Sequence, residues 1–160
     1  MGADGVVFGC LTAEGEIDIP IMQKLMEASK GLSVTFHRAF DVCCNPQKAL
    51  EQIIELGCNR ILTSGQQPTA ELGIPLLKEL QKQADGRIIL LAGCGVNEKN
   101  IARIAKETNI KEFHFSARES IKSEMVYKNE AVSMGGTVHI DEYERNVTTT
   151  RRVKGTIASV

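Results

Sequence analysis

Apolar positions along this chain fall into two alternating regimes. Short hydrophobic runs occur at 5–9 (GVVFG), 32–40 (LSVTFHRAF), 60–65 (RILTSG), 87–93 (RIILLAG) and 111–117 (KEFHFSA). Their length and their content of Val, Ile, Leu and Phe predict buried strands. Between them the apolar spacing becomes helical. After Asp18, residues Ile19, Met22, Leu25 and Met26 share one face. The helix predicted at 46–56 is the best punctuated. Asn45 can cap it, Pro46 suits its first turn, Ala49, Leu50, Ile53, Ile54 and Leu56 form its apolar face, and Gly57 can take the left-handed conformation that ends it. Leu72, Leu76, Leu77 and Leu80 predict a helix over 70–84, and Ile101, Ile104 and Ala105 one over 98–107 with Asn97 as cap. Tyr143, Val147, Val153 and Ile157 make a loose helical stripe over 141–159, weakened by Thr148 to Thr150 and Gly155. Residues 121–140 have no clear period and read as an ordered loop.

Strands therefore recur every roughly 24–28 residues, each followed by a helix, which is a parallel βα repeat. Two architectures fit, a doubly wound sheet and a (β/α) barrel. The strand faces favour the barrel. Thr35, His37 and Ala39 oppose Val34, Phe36, Arg38 and Phe40, and His114 and Ser116 oppose Phe113 and Phe115. One face is apolar enough to lie under helices, and the other carries the small and polar groups found in the upper layers of a barrel. A central strand of a doubly wound sheet is apolar on both faces. The expected fold is thus α/β, a TIM-type (β/α) barrel with about five βα units and a C-terminal helix. A complete barrel takes about 200–250 residues, and this chain has 160. About three βα units are expected to be absent from its N-terminal side. The reading is one domain over 1–160, a partial barrel over 1–119 followed by a loop and helix over 120–160. Open sheet edges predict a homo-oligomer.

Bulk properties narrow the function classes. A net charge of -1 creates no field that would gather nucleic acid or anionic membrane. Aromatic residues make up 4 % and Trp is absent, which argues against a base-stacking surface. No apolar run approaches the about 18 residues a membrane span needs, and the opening MGADGVVFG has neither a signal-peptide pattern nor the Ser or Thr that N-myristoylation would want at Val6. Five cysteines, Cys10, Cys43, Cys44, Cys58 and Cys94, without a CxxC pair, fit a cytoplasmic protein rather than a disulfide framework or a zinc site.

Ligand sites in parallel βα folds lie at the carboxyl ends of the strands. His37, Arg38 and Asp41 stand at one such end, with Arg38 and Asp41 also able simply to pair with each other. Thr63 and Ser64 stand at another. The turn AGCGV (92–96), with Gly93 and Gly95 before the helix capped by Asn97, can offer backbone N–H groups to a phosphate. On the next strand, His114, Ser116 and Arg118 add an imidazole, a hydroxyl and a guanidinium. The loops after the last two strands are the usual phosphate grip of the barrel. No strand ends in Lys or Glu, so Asp41 and His37 are the one credible proton-transfer pair and no reaction is assigned. Among soft ligands, Cys10 after the first strand and Cys94 in the glycine turn are candidates for Cu(I). Cys58 precedes a strand, at the opposite end, and reads as structural.

Taken together, GADGVVFGCLTAEGEIDIP, VTFHRAFDVCCNPQKALEQIIELGCNRILTSGQ, GRIILLAGCGV, EFHFSAR and NEAVSMGG closely resemble the CutC copper-homeostasis family, chiefly through TFHRAFD and ILTSG. The resemblance implies a cytoplasmic TIM barrel linked to copper handling, with Cu(I) as a possible bound ion and no established reaction. It also implies an N-terminal part carrying three further strands and two strand-end cysteines, to which this chain has no counterpart, and a glycine at the position of Cys94. Three readings remain open: a copper-binding or trafficking protein, a barrel enzyme or its relic that takes a small phosphorylated or anionic ligand, and an assembly-prone partial barrel with no activity of its own.

Overall fold

A computed structural model describes residues 2–129, 131–135, 137–138 and 140–160; within the expected loop 121–140, Glu130, Gly136 and His139 lie outside the described residues. Five parallel strands, β1 (Gly5–Phe8), β2 (Ser33–Phe36), β3 (Arg60–Thr63), β4 (Ile89–Gly93) and β5 (Glu112–His114), form one sheet in simple sequential order. Between them run α1 (Ile19–Ala28), α2 (Pro46–Glu55), α3 (Ile74–Ala84) and α4 (Ile101–Thr108). Sequential order is the decisive feature. Right-handed crossovers that always step in one direction put every helix on the same face, as in a barrel wall, whereas a doubly wound sheet reverses direction.

Burial follows that asymmetry. The registers Phe36↔Ile61 and Ile61↔Leu90 put these three side chains in one row, and all are at most 2 % exposed beneath the helices. Met22, Leu50, Ile53, Leu77, Leu80, Ile101 and Ile104 supply the helical half of this core. On the opposite face Val7, Thr35, Arg60 and Ile89 lie in register, with Val7 62 % and Ile89 39 % exposed. That inner face carries an ion pair that reaches across β4. Arg60 Nε donates to Glu112 at 2.7 Å and its Nη1 to Ser33 Oγ at 3.1 Å.

Local signals place the helices as expected, with several corrected boundaries. Asp18 Oδ1 accepts from Ile21 N at 3.1 Å, and Asn45 Oδ1 accepts from Lys48 N at 3.0 Å. Gly57 takes φ +84° after α2. The helix expected at 70–84 begins at Ile74, and Leu72 is 62 % exposed because it precedes the helix and never joins its apolar face. Strand 32–40 is shorter than its apolar pattern. It stops at Phe36, and residues Arg38–Val42 fold into a 3-10 turn capped by His37, whose Nδ1 accepts from Ala39 N at 3.2 Å. The side-chain acceptor at His37 competes with the ladder for the backbone, which ends the strand.

The largest departure is at the C-terminus. The loop and helix expected over 120–160 contain an antiparallel hairpin, β6 (Arg118–Lys122) with β7 (Glu144–Thr148), before α5 (Thr150–Ile157). Tyr143 and Val147, assigned to a helical stripe, therefore lie outside the helix. Thr149, expected to weaken a helix, caps it instead: its Oγ1 accepts from Arg152 N at 3.4 Å.

Candidate functional site

Two polar clusters stand at the carboxyl ends of the strands. The first gathers His37, Arg38, Asp41, Thr63 and Ser64. The Asp41 side chain is 6 % exposed. Its carboxylate accepts from Arg38 Nε at 2.6 Å, Thr63 Oγ1 at 2.6 Å, Ser64 N at 3.0 Å and Gln66 N at 3.3 Å. Arg38 Nη2 donates to Ser64 Oγ at 3.0 Å. Ser64 Oγ donates in turn to the Gln67 carbonyl at 2.6 Å. Thr63 and Ser64 are fully buried, so they fasten the β3 turn rather than line the expected rim. The Asp41 carboxylate holds the Arg38 guanidinium above its ordinary pKa, and the Cys94 sulfur adds to that shift. The expected proton-transfer pair is not assembled, because no hydrogen bond joins Asp41 to His37 among the described residues. Asp41 spends its lone pairs on the β3 turn and Arg38, while His37 uses Nδ1 on Ala39. A carboxylate with this many donors is a brace.

The second cluster is open. A cavity of about 300 Å³ lies between the turn after β4 and the turn after β5. Gly95, His114, Ser116 and Arg118, all expected site residues, line it together with Cys94, Val96 and Arg152. Gly93 sits buried below it, where a Cβ would come within 2.6 Å of Leu62 Cδ1. Cys94 and Gly95 both take φ +75°, a conformation that suits glycine and strains cysteine. Cys94 is held there by Sγ donating to the Pro68 carbonyl at 3.0 Å and by Ala70 N donating to its own carbonyl at 2.9 Å. Asn97 and Asn100 form a reciprocal cap just beyond: Lys99 N donates to Asn97 Oδ1 at 2.9 Å and Asn97 N to Asn100 Oδ1 at 2.9 Å. The cap expected at Asn97 is therefore displaced: Asn97 shapes the preceding turn, and α4 begins at Ile101 with Asn100 at its N-cap position.

Free donors distinguish this cavity. Among the described residues, the Gly95 and Val96 N–H groups and the Arg118 guanidinium have no protein acceptor. Arg152, not foreseen in the sequence, reaches the cavity from α5 and donates to Glu98 Oε2 at 3.0 Å and to the Arg118 carbonyl. The readable signal for it was Thr149 as a helix cap, which would have put Arg152 in a first helical turn.

The thiols do not form one group. Cys10 and Cys94 are half-buried, Cys44 is exposed, and Cys43 and Cys58 are buried. Burial pushes the Cys58 thiol up to about 11, which fits the structural role expected for it. Among the described residues no three His, Cys, Asp or Glu side chains come together as metal ligands. No described helix is long and apolar enough to cross a membrane.

The sequence matches the CutC family over residues 1–119. This chain belongs to the CutC family. A CutC family protein of Bacteroides thetaiotaomicron is 82 % identical over all 160 residues, which cover 64 % of that protein. One from Parabacteroides distasonis is 60 % identical over 153 residues, 96 % of this chain and 63 % of the relative. The chain thus spans a little under two thirds of these CutC proteins. The crystal structure of the putative copper homeostasis protein CutC from Streptococcus agalactiae superposes with a TM-score of 0.67 at 34 % identity, over 70 % of this chain and 55 % of that one. The native KDPGal structure is similar in fold alone, with a TM-score of 0.53 at 14 % identity, over 91 % of this chain. These matches agree with the strand order: this CutC chain carries five consecutive parallel strands of a TIM-type barrel with the four helices between them, and the fifth strand leads into the β6/β7 hairpin rather than directly into a helix.

Proposed function

We propose that this CutC chain serves copper homeostasis as a cytosolic protein that binds a small anionic, phosphate-type ligand at the carboxyl ends of β4 and β5. The carrying observation is the set of uncommitted donors around the 300 Å³ cavity: the Arg118 guanidinium and the Gly95 and Val96 N–H groups. Backbone N–H groups in a left-handed turn and a guanidinium fork suit tetrahedral oxyanions. Five free cysteines support the cytosolic location. Ties from Thr148 Oγ1 to the Ser116 carbonyl (2.9 Å) and from Thr149 N to the Ala117 carbonyl (3.3 Å) support reading the chain as one unit. The test is a calorimetric titration of inorganic phosphate into the chain and into Arg118→Gln. A loss of about tenfold in affinity is expected for one charge-assisted pair. Equal affinities would remove the site from consideration.

A second reading keeps copper as the cargo. Its support is the pair of half-buried thiols, Cys10 after β1 and Cys94 after β4, which are soft donors suited to Cu(I). The positive charge of Arg38, whose guanidinium is held above its ordinary pKa by Asp41 with a further contribution from Cys94, argues against a cation at this thiol. An anaerobic Cu(I) competition titration against a chelator, on this chain and on Cys10→Ser/Cys94→Ser, decides it. Binding lost in the double variant supports the thiol pair; binding unchanged by it puts copper elsewhere.

A further inference from the structure

Arg152 is fixed with unusual care for a residue on a terminal helix. The hairpin β6/β7 begins at Arg118 itself, so the chain returns directly over the turn that follows β5. Thr149 N donates to the Ala117 carbonyl at 3.3 Å, Thr148 Oγ1 donates to the Ser116 carbonyl at 2.9 Å, and Thr149 Oγ1 caps α5. Together these bonds place Arg152 beside Arg118 at the cavity. Two guanidinium groups at one small cavity repel each other unless an anion lies between or beside them. In the unliganded chain that anion is internal: Glu98 Oε2, which accepts from Arg152 Nη2 at 3.0 Å with both side chains largely covered, 25 % and 30 % exposed. Arg118 has no such partner among the described residues.

We propose that Arg118 and Arg152 form a two-arginine clamp selective for a phosphate-type dianion, and that Glu98 is an internal stand-in which holds Arg152 until the ligand takes its place. The proposal rests on the anion-site reading above and deepens it by naming the ligand charge. Arg118 supplies the free fork that any tetrahedral anion meets first. Arg152 is the specificity residue, because its second positive charge is matched by the second negative charge of a phosphate or phosphate monoester and wasted on a monoanion. Glu98 sets the threshold. A ligand must compete with a carboxylate already paired to Arg152, so weakly charged anions fail to displace it.

The experiment compares two tetrahedral anions at pH 8, inorganic phosphate as the dianion and methanesulfonate as the monoanion, by calorimetry on the whole chain. Wild type is expected to prefer phosphate by about tenfold, the worth of one added charge-assisted pair. Arg152→Gln should lower phosphate affinity about tenfold and erase the preference, whereas Arg118→Gln should weaken both anions. Glu98→Gln should tighten phosphate binding by about threefold or more, and that gain should vanish in the Glu98→Gln/Arg152→Gln double variant. Thermal midpoints of all variants accompany the titrations, and the wild-type preference itself requires no variant to fold. Absence of any phosphate binding would remove the site and the clamp together. Phosphate binding that depends on Arg118 but shows no dianion preference, or is unchanged by Glu98→Gln and Arg152→Gln, would keep the site and overturn the clamp.

Discussion

The turns after β2 and β3 and the turns after β4 and β5 carry similar residues and do different work. Both hold arginine, histidine and hydroxyl groups at the carboxyl ends of parallel strands. Around Asp41 every strong acceptor is occupied, by Arg38, Thr63, Ser64 and Gln66, and the carboxylate is sealed from solvent. Around the second cluster's cavity, lined by Gly95, Val96 and Arg118, the Arg118 guanidinium and the Gly95 and Val96 N–H groups have no protein acceptor among the described residues. Ionisable residues at a strand end therefore do not define a site by themselves. What defines it is whether the protein has already answered their charges.

That contrast can be broken most forcefully at Asp41. Asp41→Ala should cost about 3 kcal/mol of stability, read by urea denaturation, since it strands the buried Thr63 hydroxyl and Ser64 N–H along with Arg38. Phosphate affinity at the other cluster should change far less. A variant that loses phosphate binding yet unfolds at the wild-type urea midpoint would make Asp41 part of the site. Next in size is Arg118→Ala, expected to lose about tenfold in phosphate affinity with a thermal midpoint within experimental error of wild type, because the side chain has no intramolecular partner to lose among the described residues.

A smaller effect sharpens the comparison at the lip between the clusters. Cys94→Gly relieves a left-handed residue at φ +75° and gives up one weak bond from sulfur. A net stabilisation of up to about 1 kcal/mol is expected in urea denaturation. A net destabilisation would mean that the Cys94–Pro68 contact outweighs the strain. The smallest effect serves as a distant control. Glu51 pairs with Arg87 far from both clusters, and Arg87 together with Gln83 lowers its carboxyl from 4.5 to about 2. A lowered folded-state pKa stabilises above the ordinary value and is lost as pH falls toward 2. Arg87→Ala should therefore flatten the stability-versus-pH profile between about 4.5 and 2 and leave phosphate binding at pH 8 unaltered.

The inner sheet face adds a contrast of a different kind. Val7 and Ile89 are exposed there, while Ile88 and Leu90, beside Ile89 on the helix side, are buried and Val6 and Phe8, beside Val7, are partly so. This supports the proposal that the chain associates with further strands or a second copy, which sedimentation velocity over a concentration series would detect as a shift to larger species.

Much of this was legible along the chain. Periodic apolar spacing located all five parallel strands and the four helices between them, because burying one face of a strand or helix is a local demand that repeats at a fixed interval. The Asn45 cap was readable for the same reason: its bond reaches only three residues. The residue types of the candidate site were also visible, down to Gly95, His114, Ser116 and Arg118. Tertiary structure alone decided how they divide. Whether Asp41 is a base or a brace depends on donors from residues 63–66, brought together by the pairing of β2 with β3. Arg152, 34 residues beyond Arg118, enters the cavity because the hairpin that begins at Arg118 brings the chain back over it, and no local period encodes that return. Hydrogen-bond satisfaction and charge compensation are properties of groups that meet in space, so the sequence determined the barrel wall and the fold determined which of its polar ends remained free to bind.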